Sequence, residues 1–226
     1  GTTYDAFRSE RYVLAFDNPG LRRILQHVPY EFVIVLANSE TYGGGGIYGL
    51  YSTAAADSAW AEYLVVHEFG HHFAGLADEY YTSDVSYETG GETHPEPWEP
   101  NVTALRDSGD LKWRDLVSPG TPIPTPWGKE AYEEHSNRIR AERRALVERT
   151  APESDFDALF ARQRQIEREL LSAMQFANRV GAFEGAMYEP RGLYRSEIDC
   201  IMFTRADFFC RVCRRAIERI IVLYSG

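Results

Sequence analysis

The sequence predicts a mixed α/β fold, and three features of the 226-residue chain support this class. Residues 32–38 form an almost continuous apolar and β-branched run, which is typical of a strand buried on both faces. Residues 59–66 repeat apolar side chains at helical spacing, with Asp57 or Ser58 as the N-cap. Helical periodicity returns in the second half of the chain. A single domain spanning residues 1–226 is long enough to bury these elements in a substantial core.

The elements nearest the amino terminus are a short helix and a glycine-rich segment. Residues 19–26 predict a helix, because proline is favoured in a first helical turn. The glycines at 43–46 are not followed by the lysine and hydroxyl residues of a phosphate-binding loop, and no helix follows directly. They predict a close-packed approach to an edge strand at residues 47–52, with a flexible connector as the alternative.

The second half of the chain changes from irregular to helical. Residues 81–127 are rich in Pro, Gly, Ser, Thr and Trp and show little periodicity, so they predict an irregular segment. Residues 129–149 and 154–178 have helical periodicity with many Glu/Arg pairs, and Pro152 separates them. They predict an antiparallel helical hairpin. A last helix at 208–224 is expected to turn four apolar side chains inward: Ile217, Ile220, Ile221 and Leu223.

The most informative motif is a pair of histidines, His67 and His71, four residues apart at the end of the apolar helix. This spacing places both imidazoles on one helix face, where they can reach one metal ion. Glu68 can then act as a general base toward a metal-bound water. Such a string also occurs by chance among ordinary helix residues, but the apolar helix before it favours the metal interpretation. His72 points about 100° away around the helix and is expected to pack.

A third ligand is expected just after this helix. Gly75 permits the left-handed backbone that ends a helix and turns the chain. Asp78 follows the turn and is the predicted ligand, with Glu79 as the competing carboxylate, while capping of the next segment is the alternative role of Asp78. Three protein ligands and a water are typical of a catalytic zinc. The sequence therefore predicts one catalytic Zn²⁺ ion.

Four stretches together resemble the IgA-peptidase (igalysin) family of metzincin zinc metallopeptidases, and they are residues 42–48, 67–80, 96–101 and 192–202. The similarity covers nearly the whole chain and is strongest at 42–80 and 181–213. The resemblance implies a metzincin-like zincin catalytic domain. Its upper lobe, at about 1–78, would hold a mixed twisted sheet and the active-site helix. The lower lobe, at about 79–226, would be more helical and irregular, with a helical insertion at about 129–178.

The resemblance also implies roles for residues outside the helix. Met202 would lie in a Met-turn beneath the metal, although a core methionine would pack in almost the same way. Tyr194 would stabilise an oxyanion through its hydroxyl group, with simple packing of Tyr194 as one alternative and Tyr80 in the same catalytic role as another. An edge strand would pair with extended substrate. Gly75 and Asp78 each lie one place later than in the common metzincin pattern, and Asp78 replaces a histidine.

Charge and hydropathy limit the partners. A formal net charge of −10 argues against binding of nucleic acid, which requires a basic surface. No apolar run is long enough to span a bilayer, and residues 1–5 do not resemble a signal peptide. We expect a secreted, periplasmic or cell-surface protein whose export signal is not part of this chain. The expected partner is an extended peptide or protein, and the oligomeric state is left open.

Three cysteines, Cys200, Cys210 and Cys213, lie close together in the sequence. An odd number fits one disulfide, from Cys200 to Cys210 or Cys213, and one free thiol. A zinc knuckle is the alternative, but it needs a fourth ligand and no histidine follows His135.

The favoured function is a zinc-dependent endopeptidase that hydrolyses peptide bonds through a metal-bound water activated by Glu68. One alternative is a noncatalytic protein- or glycan-binding module with a vestigial metal site. Glu68 argues against it, because a structural site has no use for a glutamate between its ligands. Another alternative is a zinc amidase that acts on cell-wall peptides.

Overall fold

Two three-stranded sheets, each accompanied by helices, form the framework of the computed structural model. The structure describes residues 1–4, 6, 12–82, 94–107, 109 and 111–226. These residues divide into two units, Gly1–Gly75 and Leu76–Gly226. The chain thus has the mixed α/β architecture that the sequence predicts. The metzincin arrangement of its lobes stays a prediction.

The first unit contains helix α1 (Asn18–Leu25) and strands β1 (Ile34–Ala37), β2 (Gly44–Ile47) and β3 (Tyr51–Ala55). The carboxylate of Asp17 caps α1 by accepting a hydrogen bond of 2.8 Å from the Gly20 N–H. The strand order is β1-β3-β2, with β1 parallel and β2 antiparallel to β3. The sheet is therefore mixed, as expected.

Two strand predictions for this unit are wrong. Strand β1 is not buried on both faces, because Ile34 is 44% and Leu36 is 61% exposed. These residues share one face of an edge strand, whereas all five residues of the central strand β3 are buried. The edge strand is also displaced from residues 47–52 to the glycine run itself, since Gly44–Ile47 form β2.

Helix α2 (Ala61–Ala74) begins later than the sequence suggests. Its N-cap is Trp60, not Asp57 or Ser58, and the Ser58 hydroxyl instead accepts a hydrogen bond of 3.3 Å from the Trp60 N–H. The carboxyl end matches the prediction. Gly75 has φ 61° and ψ 32°, in the left-handed region, and its N–H bonds to the carbonyl groups of the last turn.

The second unit contains a sheet of order β4-β6-β5, formed by β4 (Val102–Thr103), β5 (Phe183–Ala186) and β6 (Glu189–Arg195). Both strand pairs are antiparallel. In the described part of residues 81–127, regular structure is limited to β4 and a short 3₁₀ helix at Arg114–Leu116, which agrees with an irregular segment. Residues 83–93, 108 and 110 of that prediction lie outside the described residues.

The predicted helical hairpin is confirmed as α3 (Lys129–Glu148) and α4 (Glu153–Ser172), although α4 ends earlier than residue 178. Exposed ion pairs, Arg162 with Glu142 and Arg149 with Asp155, link the two helices. Such exposed pairs contribute little stability each. The side of the hairpin that carries these ion pairs is exposed to solvent, as its charge pattern indicates.

Helix α5 (Arg211–Ser225) is buried only near its start, at Val212, Cys213 and Ala216. The expectation that Ile221 and Leu223 pack inward is wrong, because these side chains are 50% and 74% exposed. Helical periodicity shows which residues share a face, but not how far along the helix the core extends. Among the described residues, no helix is long and apolar enough to cross a membrane.

A charged side chain lies in the core of the second unit. The Arg195 guanidinium is fully buried, with its central carbon 4.2 Å from the ring centroid of Trp127 and 3.8 Å from that of Phe203. It donates a hydrogen bond of 2.8 Å to the Gly185 carbonyl group. Cation–π contacts and hydrogen bonding offset the cost of burying this cation.

Candidate metal centre

Helix α2 brings the two motif histidines together. The Nε2 atoms of His67 and His71 are 3.3 Å apart, and the ring planes meet at 85°. A tetrahedral zinc with Zn–N bonds of about 2.0–2.1 Å separates two nitrogen ligands by about 3.3–3.4 Å. The observed distance also fits a hydrogen bond between the rings. The two imidazoles therefore have the spacing of zinc ligands without any rearrangement of the helix.

Tyr63 orients the first of these histidines. Its hydroxyl group lies 3.3 Å from His67 Nδ1, one helical turn away, and the imidazole is buried. A partner on Nδ1 fixes the ring and leaves Nε2 for a metal. Tyr63 is not among the residues predicted from the sequence, although its position four residues before His67 places it on the same helix face and is the signal for this contact.

The glycines of β2 explain how the sheet accommodates this helix. A Cβ atom on Gly44 would lie 2.8 Å from Glu68 Cγ, and one on Gly46 would lie 2.7 Å from His71 Cβ and overlap the Glu68 carbonyl oxygen. The backbone of β2 therefore lies directly against the turn of α2 that carries the motif. The close approach predicted from the glycine run is present, and its partner is the metal-binding turn itself.

The chain after Gly75 adds a carboxylate to the pair of histidines. One ligand atom each of His67, His71 and Asp78 lies within 4.8 Å of the others. Asp78 Oδ2 also accepts a hydrogen bond from the hydroxyl group of Tyr188, whose ring meets that of Tyr80 edge to face at 5.2 Å between centroids. Tyr188 was not identified from the sequence, because the residue is far from Asp78 along the chain.

Glu79, the competing carboxylate, has a different environment. Its side chain is fully buried, and Oε1 accepts a hydrogen bond of 3.0 Å from Asn101 Nδ2. Burial raises the pKa of this carboxyl group. The ligand atom of Glu79 groups with the three cysteines and not with the histidines. The geometry thus favours Asp78 over Glu79, and the ligand role of Asp78 stays a prediction.

The structure places the remaining predicted residues as follows. His72 is buried against Phe32 and Phe69, with ring centroids at 5.6 and 5.7 Å, as a packing residue would be. Met202 is fully buried, and its carbonyl group accepts a hydrogen bond of 2.7 Å from the Glu79 N–H. Tyr194 lies in β6 opposite Thr103 and Glu184, and burial raises the pKa of its hydroxyl group. A catalytic role for Tyr194 and a Met-turn at Met202 stay predictions.

The chain also matches a known protein family. Residues 1–221 match the family model of IgA peptidase M64, so the chain belongs to that family. This confirms the resemblance stated from the motifs. A search of the curated proteins finds no match. Membership makes the chain a peptidase, whose substrate is a peptide or protein, and implies a metal cofactor, for which the groups of potential ligands provide sites.

The contact between β2 and α2 can be tested with Gly46→Ala. We expect this change to lower the free energy of unfolding by about 1–3 kcal/mol and to weaken zinc binding, because the added Cβ overlaps the backbone of Glu68. Thermal unfolding and zinc titration measure the two effects. The matched control is Gly45→Ala on the opposite face of β2, where the nearest atom is the Leu14 side-chain tip. Equal zinc affinities in the two variants would contradict this interpretation.

Tyr188 is expected to affect zinc affinity, whereas Tyr194 is expected to affect kcat. Tyr188→Phe removes the hydroxyl group that contacts Asp78, so zinc affinity should fall about 10-fold or more. Tyr194→Phe, if Tyr194 stabilises an oxyanion, should lower kcat and leave zinc affinity unchanged. Chelator competition and steady-state kinetics separate the two results. Unchanged zinc affinity in Tyr188→Phe would show that this hydrogen bond does not position a ligand.

Proposed function

We propose that the chain is a zinc-dependent endopeptidase of metzincin type, with His67, His71 and Asp78 as the metal ligands and Glu68 as the general base. The observation that carries the proposal is the convergence of two imidazole nitrogens and one carboxylate oxygen within 4.8 Å. This donor set fits zinc, which binds nitrogen and oxygen ligands in tetrahedral sites. In the described part of the chain, no fourth His, Cys, Asp or Glu joins this group. Three protein ligands with an open position are typical of a catalytic zinc site and not of a structural one.

Glu68 follows His67 directly, so its side chain leaves the same turn of α2 in a neighbouring direction. Its Cγ packs against Gly44, in a space that a side chain at residue 44 would fill. A bound zinc ion supplies Lewis acidity to the water and the scissile carbonyl group. The Glu68 carboxylate takes a proton from the water as the water oxygen attacks the carbonyl carbon. The same carboxyl group then donates that proton to the amine nitrogen as the C–N bond breaks.

The substrate is an extended peptide or protein chain. Strand β2 supports this proposal, because it lies at one edge of the sheet. The carbonyl group of its first residue, Gly44, accepts a hydrogen bond of 3.0 Å from the Val13 N–H, so an added chain would pair with the residues after Gly44. An extended chain can add to such an edge through backbone hydrogen bonds. Action on an extracellular protein fits a secreted, periplasmic or cell-surface location, which is part of the proposal. The name of the family supports a protein substrate, and cleavage of immunoglobulin by this chain is not part of the proposal.

Glu68→Gln tests the proposed base. We expect the variant to bind zinc as the unmodified protein does and to hydrolyse casein about 100- to 10,000-fold more slowly, because the amide cannot accept the proton. The control is Glu62→Gln, which changes an exposed glutamate in the first turn of the same helix. Casein hydrolysis and metal analysis are measured on the same preparations. Full activity in zinc-loaded Glu68→Gln would exclude this mechanism.

Metal removal distinguishes the endopeptidase from its alternatives. Chelation should abolish hydrolysis of casein, and added zinc should restore it. Hydrolysis that survives complete loss of zinc would contradict the proposal. Absence of hydrolysis in the zinc-loaded protein would favour a binding module. Cleavage of cell-wall peptides in preference to casein would identify an amidase with the same chemistry.

A further inference from the structure

Three cysteines and one glutamate form a second group of potential metal ligands. One ligand atom each of Glu79, Cys200, Cys210 and Cys213 lies within 4.8 Å of the others, and all four residues are buried. The three cysteines are free thiols. The group lies entirely within the second unit and shares no residue with the proposed catalytic centre.

Backbone N–H groups point at two of the three sulfur atoms. Cys210 is the N-cap of α5, and its Sγ accepts a hydrogen bond of 3.4 Å from the Cys213 N–H. The Cys210 N–H in turn lies 3.3 Å from Cys200 Sγ. The amino terminus of a helix favours negative charge, and N–H groups directed at sulfur favour the thiolate over the thiol. Two cysteines separated by two residues are also a common pair in structural zinc sites.

Glu79 provides an independent indication of a cation. Its Oε1 lies 3.0 Å from Asn101 Nδ2 and 3.4 Å from Cys213 Sγ. Its Oε2 is buried and has no hydrogen-bond partner among the described residues. A buried carboxylate oxygen without a partner is destabilising, because it has lost its hydrogen bonds to water and has formed no hydrogen bond within the protein. A cation among the thiolates would satisfy it.

A disulfide explains this arrangement less completely. Cys200 Sγ and Cys213 Sγ are 3.8 Å apart, close enough for the pairing that an odd number of cysteines predicts. Such a bond would leave Cys210 and the Glu79 carboxylate together in the core without a role. A zinc knuckle needs a fourth ligand, and no histidine follows His135 in the sequence. The fold provides that ligand from Glu79, far from the cysteines along the chain.

We propose that Cys200, Cys210, Cys213 and Glu79 bind a second, structural zinc ion in a closed four-coordinate site. Thiolate ligands select zinc over magnesium or calcium, and four protein ligands leave no position for a substrate. Three thiolates and one carboxylate exceed the charge of one zinc ion. Arg195, which interacts electrostatically with Glu79, and the amino terminus of α5 offset part of the excess. Binding releases the protons of the thiols that become ligands.

The proposed ion would join three segments of the second unit. Glu79 directly follows Asp78, Cys200 precedes the turn that contains Met202, and Cys210 and Cys213 begin α5. The hydrogen bond from the Glu79 N–H to the Met202 carbonyl group already links the first two segments. The structural zinc would therefore hold in place the segment that carries Asp78. This role is separate from catalysis.

Metal analysis of a variant that lacks the first centre gives the first test. The His67→Ala/His71→Ala double variant should retain one zinc per chain, whereas the unmodified protein should hold two. If the buried site is wrong and the catalytic centre is right, the double variant holds none and the unmodified protein holds one. If only the buried site is right, both proteins hold one. The failures of the two proposals are thus distinguishable without an activity assay.

The ligand atoms can be identified in the same double variant. Replacement of zinc by Co²⁺ should give a thiolate-to-cobalt charge-transfer band and the intense d–d absorption of a tetrahedral ion. X-ray absorption at the zinc edge should show mainly sulfur neighbours at about 2.3 Å. A zinc-free double variant, or a bound metal with only nitrogen and oxygen neighbours, would overturn the proposal. Fewer than three alkylated thiols in the denatured, unreduced protein would show a disulfide instead.

Glu79→Gln tests the fourth ligand, and Glu167→Gln is its matched control. Glu167 is also buried with a carboxylate oxygen that lacks a partner among the described residues, but its nearest partner is Gln163 and it belongs to no ligand group there. In the double-variant background, Glu79→Gln should keep the thiolate-to-cobalt band and bind zinc about 10-fold or more weakly. Glu167→Gln should leave zinc affinity unchanged. Equal zinc affinities in the two variants would show that Glu79 is not a ligand. If Glu79→Gln does not fold, the measurements on the double variant alone decide the proposal.

Discussion

The convergence of two imidazoles on one turn of α2 is the constraint on which the rest of the site depends. His67 and His71 can point to one place only if the helix is regular between them, with Tyr63 fixing the first ring. A strand can approach that turn only without side chains, which accounts for glycine at the positions of β2 that face it. The glycine run and the histidine motif, distant in the sequence, are thus two parts of one packing arrangement.

Two neighbouring carboxylates have separate roles in this structure. Asp78 contacts the Tyr188 hydroxyl group and groups with the histidines, whereas Glu79 is buried with Asn101 and the cysteines. Consecutive side chains in a non-helical segment point in different directions, so one short stretch can supply ligands to two centres. A catalytic centre with three protein ligands has an open position, and a group with four has none. The number of ligands therefore suggests a different role for each centre.

The elements that the sequence predicts well are those with long local periodicity. Helices α2 and α3 were expected within a few residues of their observed ends, and Gly75 was expected to end α2. Helix α4 was expected to reach residue 178 but ends at Ser172. The burial of β1 and of the end of α5 was predicted wrongly, because a run of apolar residues does not show whether its element lies at the edge of a sheet or extends beyond the core. Residues 48–50 form a turn because the glycines before them already occupy the strand.

The sequence by itself determined the class of protein, because motifs in four stretches of the chain identify its family. It also determined the geometry of the histidine pair, because that geometry depends on the pitch of one helix. The tertiary structure supports the sequence-based choice of Asp78 over Glu79, and only the tertiary structure decided which tyrosine contacts Asp78 and which residue lies with the three cysteines. The tyrosine and cysteine contacts join residues more than 100 positions apart, Asp78 with Tyr188 and Glu79 with Cys213. No local period in a sequence encodes such pairs, since they form only when the packing of the whole unit brings their segments together.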